Sequence, residues 1–146
     1  MVGARESLYL DFLRAQIESS QATNLRLVEE REDIYDFYRL SDIFVCASFE
    51  ESFPRVILEA MAFKLGIVST NVFGIPEIVS DGGEALLVPA GDACSLAQRI
   101  LRLVQKPQNR KQLGDRAYAK VNRSFTNRGQ LRKHLDLTKE VVARHD

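Results

Sequence analysis

The sequence predicts an α/β domain, a parallel sheet with helices packed on it, and three observations predict it. The runs "IFVCA" (43–47), "GIVST" (66–70) and "ALLV" (85–88) are dominated by apolar and β-branched residues, as strands covered on both faces are. Amphipathic helical stripes separate these runs, and strand alternating with helix implies parallel pairing through right-handed crossovers. Proline and glycine then punctuate the alternation at Pro54, Pro76, "DGG" (81–83) and Pro107. A length of 146 residues suits a single domain over 1–146, and an apolar fraction of 45% suffices for its core.

Taken in order, Met1–Val2 reads as the stub of a strand ending at Gly3. Residues 5–20 carry Leu8, Phe12, Leu13 and Ile17 at helical spacing. "NLRLV" (24–28) reads as a short strand. "REDIYDFYRL" (31–40) is a short helix with Ile34, Phe37 and Tyr38 on one side and Tyr35 at its edge; these aromatics read as core. Strand 43–47 leads into a helix over 54–63, where proline suits the first helical position. After strand 66–70 a short helix begins at Pro76, and strand 85–88 follows the "DGG" turn. Asp92 is a natural N-cap for a helix whose inner face holds Leu96, Ile100, Leu103 and Val104, with Pro107 just past its end. Two more helices are expected near 109–122 and 128–143. A sheet that opens on a stub strand implies either a piece of a longer protein or a sheet completed by a partner.

Charge and cysteine usage narrow the classes. Residues 1–92 carry 7 basic and 16 acidic side chains, whereas residues 93–146 carry 13 basic and 4 acidic ones. The basic third spreads over several helices without interleaved aromatics, so no nucleic-acid partner is expected. Basic helices that are simply solvated fit these charges, as does peripheral contact with an anionic membrane. No apolar run reaches membrane-spanning length, and a signal-peptide pattern is missing from the first residues. Cys46 and Cys94 lack metal-type spacing, and Cys46 reads as a buried free thiol. A cytoplasmic setting is the default expectation. His134 and His145 read as exposed helix residues.

The chemistry concentrates in "SFEESFPRVILEAMA" (48–62). Ligands of open α/β sheets bind beyond the carboxyl ends of the strands, where this loop lies. The unbonded N–H groups of Arg55, Val56 and Ile57 at the helix start, with the helix dipole, suit a phosphate or diphosphate. Glu51 stands before that positive end, and Glu59 lies about one and a half turns into the helix. Ionised carboxylates accept hydrogen bonds from hydroxyls, so the pair suits a ligand with hydroxyls on either side of a diphosphate. The plainer alternative stays open. Glu51 then only offsets the helix dipole, and Glu59 pairs with Arg55 one turn earlier. Thr70, Asn71 and Gly74 are cleft candidates or ordinary turn formers.

"EESFPRVILEAMA" followed by "GIVSTNVFGIPEIVSDGGEALLVPAGD" resembles the C-terminal, nucleotide-sugar-binding domain of retaining GT-B glycosyltransferases of the glycosyltransferase 4 family. The family's Glu-x7-Glu signature is met by Glu51 and Glu59, and "SDIFVCAS" and "GIPEIV" resemble its flanking elements. The resemblance runs from about Gly3 to Asp92. It implies a Rossmann-like parallel sheet that forms one half of a GT-B fold, here short of its first strand and helix. It implies that Glu51 contacts the transferred sugar and supports catalysis. Ser52, Phe53, Arg55 and Val56 would lie along the sugar and diphosphate, and Glu59 would bind the nucleoside ribose. It implies a nucleotide diphosphate sugar as substrate, no cofactor and no metal. A glycan or lipid-linked acceptor would be brought by an N-terminal domain outside these residues, and polysaccharide assembly is the family's common setting. The basic pair that grips the diphosphate in the family falls upstream of residue 1, so the isolated chain is expected to transfer little. Departures are Ser52 for glycine, Lys64-Leu65-Gly66 for Gly-x-Pro, and Ala85 for glycine. A noncatalytic, self-associating module of the same fold is the alternative, since an unpaired sheet edge templates pairing.

Overall fold

The computed structural model describes residues 2–4, 8–29 and 33–125. The expected helix over 128–143 and both histidines lie outside these residues. The chain divides into two compact units between Phe37 and Tyr38.

In the first unit, β1 (Val2–Ala4) pairs in parallel with β2 (Val28–Glu29), matching Val2 to Val28 and Ala4 to Glu29. Helix α1 (Leu8–Ser19) makes the crossover that a parallel pair requires. The expected stripe is shifted. Leu10 is buried, while Phe12 is exposed and stacks on Tyr9 at 6.2 Å between ring centroids. The strand expected over 24–28 shrinks to two residues.

Helix α2 (Ile34–Leu40) leads into the second unit. There β3 (Ile43–Cys46), β4 (Gly66–Thr70) and β5 (Ala85–Val88) form a parallel sheet in the order β3-β4-β5. Ile43 to Cys46 run beside Gly66 to Ser69, and Ile67 to Thr70 beside Ala85 to Val88. Helix α3 (Arg55–Ala62) joins β3 to β4, and the short α4 (Ile75–Ile78) joins β4 to β5. Helices α5 (Ala93–Gln105) and α6 (Pro107–Ser124) follow. Every residue of β4 and β5 is buried, as their apolar runs predict. The expectation that β3 is covered on both faces fails, because Val45 is 39% exposed. The core joins Val68 and Leu86 of the sheet to Leu103 of α5 and Leu113 of α6, with Ile43, Leu96 and Ile100 against it. Val104, expected on the inner face of α5, points outward at 53% exposure. It lies about 100° around the helix from fully buried Leu103.

Helix ends set the geometry that matters. Asp92 caps α5 as expected, accepting the Ser95 N–H at 2.9 Å and the Ser95 hydroxyl at 2.6 Å. Those bonds hold its carboxyl below the ordinary carboxylate range, the hydroxyl contributing most. The carboxyl end of α3 closes without glycine. Lys64 takes φ 59°, its N–H bonds the Met61 carbonyl, and the Leu65 N–H bonds the Ala60 carbonyl, each at 3.1 Å. This is a Schellman turn with a lysine in the left-handed position, a conformation that costs a residue with a Cβ about 1–2 kcal/mol. Helix α6 packs against the turn at Gly114, where an added Cβ would lie 2.1 Å from the Lys64 carbonyl oxygen. The Lys64 ammonium sits 3.7 Å from Asp115 and 4.6 Å from the Tyr118 ring centroid.

Candidate functional site

The loop from Ala47 to Pro54 lies at the carboxyl edge of the sheet, between β3 and α3. Short polar side chains tie it to the neighbouring strands. The Ser69 hydroxyl donates to the Cys46 carbonyl at 3.0 Å, and the Thr70 hydroxyl donates to the Ser48 carbonyl at 2.7 Å. One strand further, the Asn71 N–H reaches the Val88 carbonyl at 2.7 Å. Ser69 and Thr70 are buried polar residues inside an otherwise apolar strand. These bonds satisfy them, as burial requires.

The loop after β4 supports the same segment from the side. The Gly74 N–H donates to the Glu51 carbonyl at 3.1 Å. A Cβ on Gly74 would lie 1.6 Å from the Ser52 carbonyl oxygen, so only glycine permits this backbone contact. Gly74 is therefore a support of the loop rather than an ordinary turn former.

Each signature glutamate is held through one oxygen. The Ser48 hydroxyl donates to Glu51 Oε1 at 3.0 Å and lies 3.5 Å from the Cys46 sulfur. Tyr38 donates its hydroxyl to Glu59 Oε2, also at 3.0 Å. No ion pair within 4 Å joins Arg55 to Glu59 among the described residues, so the plainer reading of Glu59 lacks its partner. Glu51 and Glu59 are both half-buried, whereas Ser52, Phe53, Arg55 and Val56 are exposed.

The start of α3 differs from the expectation in one respect. Pro54 is the N-cap, with φ −71° and ψ 108°, and the first helical residue is Arg55. The Ile57 N–H bonds back to the Pro54 carbonyl at 3.1 Å, so it is removed from the set of unbonded donors. Arg55 and Val56 keep theirs, and no side chain caps this helix. The arrangement can accept an anion on two N–H groups and hydroxyls on two carboxylates.

A hollow of ≈ 250 Å³ opens at the same edge, lined chiefly by Ala47, Phe49, Thr70, Val88 and Leu96. Its wall contains neither glutamate. Exposed Phe49, Phe53 and Phe73 stand on the loops of this edge, and Phe53 meets Phe125 at 6.0 Å between ring centroids. Among the described residues, no group of three His, Cys, Asp or Glu side chains is arranged to hold a metal ion, and no helix is long and apolar enough to cross a membrane.

Two contacts of the signature glutamates were not expected from the sequence. Ser48 stands three residues before Glu51 in a loop, and the sequence carries no signal for a hydroxyl–carboxylate bond there. Tyr38 reads as core, which it is, but a buried phenol also needs a hydrogen-bond partner.

Residues 1–106 match the family described as "Glycosyl transferases group 1". N-acetyl-alpha-D-glucosaminyl L-malate synthase of Bacillus anthracis is 30% identical over 96 residues, covering 66% of this chain and 25% of that protein. A glycosyltransferase from Rickettsia africae superposes with a TM-score of 0.86 at 28% identity, over 97% of this chain and 39% of that one. Anabaena HepE in complex with UDP gives 0.81 at 25% identity, over 90% and 37%, and HepE is also known in complex with UDP-glucose. The chain spans about a quarter of the length of the curated relatives it matches.

Proposed function

The chain belongs to the glycosyl transferases group 1 family, and from that premise we propose that it binds a nucleotide diphosphate sugar at the start of α3. The diphosphate lies against the N–H groups of Arg55 and Val56 and the positive end of the helix. Ser52 and Phe53 carry the backbone past the sugar, Glu51 accepts from the hydroxyls of the transferred sugar, and Glu59 accepts from the ribose. The observation that carries this reading is the way the two carboxylates are held. Ser48 and Tyr38 each occupy one oxygen, leaving the second without a protein donor among the described residues and available to a hydroxyl. HepE, a similar structure with UDP or UDP-glucose bound, supports a uridine nucleotide as the first donor to test.

Transfer then proceeds with retention, on one face of the sugar, with the donor phosphate helping to deprotonate the acceptor hydroxyl. Helix N–H groups and the Arg55 guanidinium stabilise the departing diphosphate electrostatically, so this reading calls for no metal. The acceptor, a glycan or a lipid-linked sugar, must be oriented by a further domain or a second copy, because orientation is among the larger rate contributions. Both compact units belong to one donor-binding half in this reading, in a cytoplasmic setting with peripheral membrane contact. The 146 residues alone bind donor and transfer little.

Calorimetric titration with UDP-, GDP- and ADP-glucose tests the proposal. Saturable binding of one of them is expected, weakened about ten-fold or more by Glu59→Ala, as expected when a charged hydrogen-bonding partner is lost. Equal binding by wild type, Glu51→Ala and Glu59→Ala contradicts it.

A further inference from the structure

The Tyr38 hydroxyl does more in the donor-binding reading than occupy one oxygen of Glu59. The tyrosine side chain is 6% exposed, although it ends in a polar atom. The ring is wedged between two others. It stacks on Phe63, with centroids 5.4 Å apart and planes 13° apart, and meets Phe44 at 5.8 Å and 34°. Tyr38 comes from α2, Phe44 from β3 and Phe63 from the C-cap of α3. Three elements therefore fix one ring, and the ring fixes where its hydroxyl points. That hydroxyl lies 3.0 Å from Glu59 Oε2.

We propose that Tyr38 is a positioning residue for donor recognition, orienting the Glu59 carboxylate so that Oε1 faces the ribose diol. The phenol hydroxyl donates and the carboxylate accepts. Donation to an ionised acceptor is among the stronger hydrogen bonds. Holding one oxygen of a planar carboxylate fixes rotation about its last bond, and so fixes the direction in which the other oxygen accepts. A glutamate without such a partner samples several rotamers, and ordering it would be a cost of binding. The aromatic sandwich removes that cost before the ligand arrives, the usual work of a shell supporting a contact residue. Phe63 adds a link, because it caps the helix that carries Glu59. The closure of α3 and the aim of its glutamate are therefore mechanically joined.

This inference rests on the donor-binding reading, and the experiment separates the two. Wild type, Tyr38→Phe, Glu59→Ala and the double variant are titrated by calorimetry with UDP, GDP and ADP, and with the 2′-deoxy form of whichever binds. Tyr38→Phe keeps the ring stack and removes only the hydroxyl, so its melting temperature is expected to stay near that of wild type. It should weaken the ribonucleotide about five- to ten-fold, change the 2′-deoxy ligand less than about two-fold, and add nothing in the Glu59→Ala background. A Tyr38→Phe chain that binds both ligands as wild type does, while Glu59→Ala loses affinity, overturns the positioning role and leaves the donor site standing. Equal weakening of both ligands also overturns it, since that marks a merely structural tyrosine. A wild-type chain that binds no nucleotide, or a Glu59→Ala chain that binds normally, overturns the donor reading itself.

Discussion

The two ends of α3 are built in opposite ways. At its carboxyl end the helix closes in a full Schellman turn, and α6 presses against that turn at Gly114. At its amino end Pro54 offers no side-chain hydrogen bond, and Arg55 and Val56 are exposed. The start of α5 sharpens the contrast, because Asp92 and Ser95 cap it as α3 is not capped. A helix of eight residues would fray if both ends were open. Closing one end firmly, and burying Ile57, Ala60 and Met61 between them, lets the other end leave its N–H groups unbonded.

The glycines at the two ends offer the largest test of this difference. Gly114→Ala drives a Cβ into the Lys64 carbonyl and should cost about 3 kcal/mol, at the upper end for overpacking. The chain that still folds should bind donor normally. Gly74→Ala drives a Cβ into the Ser52 carbonyl, with a similar loss of roughly 3 kcal/mol. Here donor affinity should fall as well, because the Glu51 loop is displaced. Denaturant melts and calorimetry on both variants check this, and equal effects on affinity would erase the distinction.

A smaller effect runs in the other direction. Lys64→Gly removes the Cβ from a left-handed residue. The contacts with Asp115 and Tyr118 are weak surface interactions, so the net change should be a gain of about 1 kcal/mol in a denaturant melt. A loss of stability would mean that the lysine side chain matters more than its backbone strain.

The smallest effect lies far from the donor site. Burial pushes the Glu84 carboxyl up, but the Ser80 N–H and hydroxyl and the Lys120 ammonium together hold it below its ordinary value of 4.5. A depressed folded pKa means the stabilisation is fully present above the ordinary value and is lost as pH falls through the folded one. Glu84→Gln should therefore destabilise the chain by about 1 kcal/mol or less at neutral pH. The gap from wild type should shrink on acidification below pH 4.5. Thermal melts across that range check the sign, and a gap that widens in acid would contradict it.

How much of this was legible in the sequence depends on distance along the chain. Strands β4 and β5 were read to the residue, because a strand buried on both faces must be apolar at every step. The same rule misled for β3, whose Val45 is 39% exposed, although β5 at the opposite edge of the sheet is buried throughout; an apolar run reads alike in both cases. Proline at residue 54 marked the helix start, but its φ suits both the N-cap and the first helical position. Its extended ψ distinguishes them, in a loop tied down by Gly74 twenty residues later. The departure from the Gly-x-Pro pattern leaves the end of α3 without its usual glycine, yet the Schellman turn forms around Lys64. The Glu-x7-Glu spacing was plain in the sequence. The hydroxyls of Ser48 and Tyr38 that bond the carboxylates were not, because Tyr38 reaches Glu59 only through tertiary packing.

Amide resonances observed during titration with UDP-glucose test the central claim most directly. The account predicts that the Arg55 and Val56 N–H signals move together and saturate, and that Glu59→Ala shifts the saturation to higher nucleotide concentration. Saturable shifts confined to residues away from the start of α3, with Arg55 and Val56 unmoved, would contradict it.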